Sequence, residues 1–165
     1  MHALKSASTC DAALRCAVAC ICSEPRTPPC SRMALAFAGK LALCDQLEAI
    51  ADSLPASVDR MACMRVATGL LPFLRQCHRY EEDTLYPAFE YGSPRSYRAA
   101  DTLIRLRAEH IQDECAAEEI TEQLMWIGRG GDVDNPEALG FMLRAFFSAV
   151  RRHIAFECEH IAPPG

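Results

Sequence analysis

Apolar residues recur at helical spacing along this chain, and no stretch reads as a strand-rich sheet. Four helices are predicted. The first covers about 33–53, with Leu43, Leu47, Ile50 and Leu54 on one side and Pro55 closing it. The second covers about 58–90, with Val66, Ala67, Leu70, Phe73, Leu74, Leu85 and Ala88 on one stripe. Pro72 lies inside it as a candidate kink. Tyr91, Gly92, Ser93 and Pro94 read as a stop followed by a capped start. The third helix then runs to about 127, where Gly128, Gly130 and Gly131 end it. Asn135-Pro136 repeats the cap-plus-proline signal, and the fourth helix runs to about 160, ahead of Pro163-Pro164. Long amphipathic helices with short connections predict an all-α fold, an up-down-up-down antiparallel four-helix bundle over 33–163.

Several polar residues break this pattern by lying on the apolar stripes. Glu81 falls in the middle of the second stripe, whereas Arg75, Gln76, Arg79 and Asp83 fill the opposite side. A buried ionised carboxylate is costly unless it is paired or metal-bound. On the third helix the inward residues are Leu103, Leu106, His110, Glu114, Ala117 and Leu124. On the fourth they are Leu139, Met142, Phe146, Val150, His153 and Glu157, with His160 near the edge. Each His stands four residues before a Glu, so the two side chains share a face one turn apart and can grip one ion or bridge two.

The second helix offers two registers. Cys77, four residues before Glu81, lies about 40° from the stripe centre, while His78 and Glu82 lie about 60° and 100° off it. Periodicity favours Cys77 and Glu81 as the inward pair and leaves Glu82 solvated. The other register needs a twist in the helix, for which Pro72 is the candidate source. The plainer alternative is a set of pairwise hydrogen bonds in the core. Three carboxylates and two histidines on three inward stripes would then be a dense buried polar cluster with a large desolvation cost. A metal site is therefore the expectation.

Composition narrows the function classes. Half of the 165 residues are hydrophobic, enough for one domain with a real core, and nothing marks a second. The net charge of -5 and the lack of a basic cluster exclude nucleic acid as the main partner. No apolar run is long enough for a membrane span. Ten cysteines are many, but a chain this long and helical is not a disulfide-stapled scaffold. Reduced thiols and a cytoplasmic location are expected. Residues 1–32 read as a poorly ordered extension carrying Cys10, Cys16, Cys20, Cys22 and Cys30, with prolines that break any helix between 24 and 32. Their apolar part is too short and too interrupted for a signal peptide. Cys16, Cys20 and Cys22 match no familiar zinc spacing.

The run from His78 to Pro87, Glu109-His110 with Glu114, and His153 to Glu157 followed by Pro163 resemble the hemerythrin-like family in its HHE cation-binding branch. The resemblance implies a four-helix bundle holding a non-haem di-iron centre. Pro163 lies ten residues past His153, and ten residues before Pro87 stands Cys77. The resemblance thus places Cys77 at a usual histidine position and Glu81 at that of the bridging carboxylate. His110 matches the third-helix histidine, Glu114 a position the family gives to His or Glu, and His153 with Glu157 the fourth-helix pair. The expected metal residues are Cys77, His78, Glu81, His110, Glu114, His153 and Glu157. The first helix lacks the family's histidine. Lys40 and Cys44 are the polar or ligating residues nearest its inward stripe, and both remain open: Cys44 as a thiolate ligand, Lys40 pairing inward with a carboxylate or snorkelling outward. Thiols in place of histidines argue against reversible oxygen carriage and toward redox chemistry or zinc. The expected function is that of a bacterial hemerythrin-like iron protein sensing oxygen, nitric oxide or redox state. A helical interaction protein with a zinc-filled or metal-free site is the alternative. A di-iron oxidase or peroxidase would need an open coordination position and a substrate path, so a non-catalytic role is preferred.

Overall fold

The computed structural model describes residues 29–92 and 97–161, and all of their regular secondary structure is helical. Helix α1 is Pro29–Ser53 and α2 is Arg60–Tyr80. A π-helical turn, Glu81–Leu85, joins α2 to the short α3, Tyr86–Gly92. Helix α4 is Tyr97–Gly128 and α5 is Pro136–His160. With α2, the π turn and α3 taken as one rod, these are four long helices forming a four-helix bundle. Helix α1 begins earlier than the prolines suggested, because proline is tolerated in a first helical turn, where no intrahelical N–H bond is lost. The cysteines at 10, 16, 20 and 22 lie outside the described residues.

Side-chain caps fix the helix starts. The Asp59 carboxylate accepts from the N–H groups of Met61 and Ala62 at 2.9 and 3.0 Å, and Asn135 accepts from Ala138 N–H at 2.9 Å. Asp59→Ala should lower stability by about 1 kcal/mol, measured as a shift of the urea midpoint at unchanged slope. Helix α4 ends where Gly130 turns left-handed at φ 103°. Arg60, at the start of α2, donates to the carbonyls of Ile127 and Gly131 there at 2.9 Å.

The core follows the predicted stripes for most of their length. Leu43, Leu47, Leu70, Phe73, Leu74, Leu124, Leu143 and Phe146 belong to one cluster joining all four helices. A second cluster, around Tyr80, Leu85, Tyr86, Leu103 and Leu106, lies beside the π turn. The residues after that turn depart from the simple wheel, and Ala88 is exposed. The cause is visible in the backbone. Helix α2 passes through Pro72 and keeps its pitch until Tyr80, then Tyr86 N–H donates to Glu81 C=O five residues back. Such a bond inserts about one extra residue into the turn. Tyr86, which a regular helix would place about 140° from Glu81, is instead fully buried.

Candidate metal centre

Three elements deliver four side chains to one buried point. The π turn presents Glu81, the middle of α4 presents His110, and α5 presents His153 and Glu157 one turn apart. One ligand atom from each of these residues lies within 4.8 Å of the others, and all four residues are buried. His110 Nε2 stands 3.2 Å from His153 Nε2 and 3.3 Å from Glu81 Oε2. His153 Nε2 stands 3.4 Å from Glu157 Oε1.

The outer hydrogen bonds decide what these atoms can do. His110 Nδ1 lies 2.6 Å from Glu82 Oε1, and His153 Nδ1 lies 2.9 Å from Glu109 Oε2. An ionised carboxylate only accepts, so each Nδ1 carries a proton and donates it. In the neutral rings both Nε2 lone pairs then point into the cluster. Tyr86 has one hydroxyl proton; it donates to Glu157 Oε1 at 2.9 Å, leaving its oxygen as an acceptor 3.0 Å from His110 Nε2. Glu81 Oε2 is buried and accepts no hydrogen bond. With both rings in this neutral form, lone pairs from two imidazoles and the unpartnered Glu81 oxygen face one another. That is a cation-binding arrangement, and carboxylates behind histidines are the usual way of orienting metal-ligating imidazoles. Glu82→Gln or Glu109→Gln should weaken metal affinity about 10–100-fold at unchanged stoichiometry, measured by competition with a chromophoric chelator.

Lys40 occupies the opposite side. It is 1% exposed, and its ammonium contacts Glu81 Oε1 and lies 3.5 Å from Glu157 Oε2. Burial alone would lower the lysine pKa, but the charges of Glu81 and Glu157 outweigh it and hold the pKa above its ordinary value. Burial likewise would raise Glu157. Lys40, the neighbouring His153 ring and the Tyr86 hydroxyl reverse this and keep its carboxyl well below the usual range. At His153 burial works to lower the pKa, and Glu157, which would accept a hydrogen bond from a protonated Nε2 and carries the opposite charge, raises it.

The remaining expected residues lie farther out. His78 is buried and stacks on His110 with ring centroids 3.9 Å apart and planes 7° apart. Its Nδ1 pairs with Glu114 Oε1 at 2.9 Å, and Glu114 Oε2 accepts from Arg75 at 3.1 Å. Burial, followed by the charges of His110 and Lys40, lowers the His78 pKa and keeps the ring neutral. Cys77 is fully buried in the apolar cluster, outside the four converging atoms but close enough to feel Lys40, Glu81 and Glu157. Burial pushes its thiol up to about 12, and Cys44, also in that cluster, is pushed to about 12 by the same cause. His160 is exposed, its ring edge-on to Phe156. The helical wheel did not find Tyr86, Glu82 or Glu109. Glu82 and Glu109 each adjoin a residue of the cluster in sequence, which is the one signal that could have found them.

A buried carboxylate and imidazole pocket inside a helical bundle defines the class of bundle metal-binding proteins. The particular family is the hemerythrin HHE cation binding domain, which matches residues 40–164; the chain belongs to it. No curated protein and no solved structure matches the chain. No helix among the described residues is long and apolar enough to cross a membrane.

Proposed function

We propose that this chain is a non-haem iron protein that senses oxygen, nitric oxide or redox state through the Glu81, His110, His153 and Glu157 pocket. The observation that carries this reading is the convergence of two imidazole nitrogens and two carboxylates within 4.8 Å of one another in one buried pocket. Imidazole and carboxylate together suit iron, which supplies reversible binding of diatomic ligands and one-electron redox chemistry when held there. A cleft of about 350 Å³ bordered by Arg105, Glu109, Asp113, Arg152, His153 and Phe156 reaches one residue of the pocket, His153. Cys44, Cys63, Cys77, Cys115 and Cys158 are free thiols, which supports a reducing, cytoplasmic setting.

A second reading, a zinc-filled or metal-free interaction module, is favoured by Lys40, which neutralises part of the carboxylate charge without a metal. Anaerobic loading of the full chain with ferrous iron separates the two. Retained iron and an optical spectrum that changes on adding nitric oxide are expected. Retention of zinc alone, or of no metal, overturns the iron-sensing reading.

A further inference from the structure

The two central carboxylates are each divided between two cation positions. Glu81 turns Oε1 to Lys40 and Oε2 to His110. Glu157 turns Oε2 to Lys40 and Oε1 to His153. Both act as two-ended bridges, with imidazoles at one end and an ammonium at the other. The imidazole end has unshared lone pairs converging on it. The ammonium end is already filled, because Lys40 is buried and an ammonium has three protons to donate and no lone pair for a metal. A second metal ion there would have to displace a charged side chain held between two carboxylates.

We infer that Lys40 stands in for one of two metal ions, so that this centre takes a single ion at the Glu81, His110, His153 and Glu157 end. The inference rests on the metal-binding reading above and specifies its nuclearity. It also gives Lys40 a role that core packing does not: a lysine is almost never fully buried unless it is paired, and here its partners are the two bridging carboxylates.

The test is metal counting on the full chain after anaerobic loading with manganous ion and desalting, with electron paramagnetic resonance on the same samples. The expected wild-type result is one ion per chain with the spectrum of an isolated ion. The Lys40→His variant, which removes the ammonium and supplies a lone pair, should take up two ions and show exchange coupling between them. Two coupled ions in the wild type overturn the inference while leaving metal binding intact. No ion in the wild type overturns both. One ion in both proteins, with helix content retained, shows that Lys40 does not occupy a cation position and also overturns it. If the variant does not fold, the wild-type count and spectrum decide by themselves.

Discussion

Lys40→Met is expected to cost the metal-free protein about 3–5 kcal/mol of stability, the range for breaking a buried ion pair from one side. The loss comes from what the substitution leaves behind. Glu81 and Glu157 are each 0% exposed, and both lean on the same ammonium. Without it, one Glu81 oxygen loses its donor while the other already has none. Glu157 keeps the Tyr86 hydroxyl but loses the charge that does most to hold its carboxyl ionised. The double variant Lys40→Met, Glu81→Gln should recover a substantial part of the loss, because it removes one stranded charge along with its partner. Urea unfolding of the two single variants and the double variant gives this as a coupling energy. Additive single effects would show that the pair does not act as a unit. An isolated surface lysine would behave differently: exposed pairs such as Arg144 with Asp52 contribute at most about 1 kcal/mol.

Much of this architecture was legible in the sequence because helical periodicity reports burial directly. The four helices, their proline and glycine boundaries, and the inward stations of His110, His153, Glu81 and Glu157 all follow from a 3.6-residue repeat. The wheel failed where the repeat changes. At Glu81–Leu85 the pitch widens to an i to i+5 turn, so an angle computed for Tyr86 or Ala88 from residues before it carries the wrong phase. Nothing in the composition of that turn announces the change. Pro72 looked the better candidate for a distortion and leaves the helix continuous. Cys77 and His78, in the regular part of α2 about 100° apart on the wheel, are both buried: one faces the apolar cluster and the other stacks against His110.

Pairing was harder to read than position. Periodicity can put Lys40 near an inward stripe, but it cannot say which carboxylates on other helices will reach it. The choice between an inward and a snorkelling lysine depends on contacts 41 and 117 residues away in sequence. Glu82 and Glu109 illustrate the same limit. Both are half-exposed by their own angle, and both turn a carboxylate back onto an imidazole, because an oriented histidine needs an acceptor for its second nitrogen.

His110→Ala should abolish stoichiometric metal binding, lowering affinity by roughly a hundredfold or more, beyond the 10–100-fold seen when only an orienting partner is lost. His110 is where the network meets: Nε2 faces His153, Glu81 and Tyr86, Nδ1 is held by Glu82, and the ring lies flat on His78. The effect on the metal-free chain should be smaller, since the substitution also removes a lone pair that faces other lone pairs. Saturating metal at about 1,000 times its dissociation constant stabilises a protein by about 4 kcal/mol, so the wild type should show a clear rise in Tm on loading. His110→Ala should show none. Cys77→Ser is the informative comparison. Its sulfur stands outside the converging atoms, so the metal-induced rise in Tm should largely survive. A loss as large as that of His110→Ala would make the thiol a ligand and move the centre toward the Lys40 end.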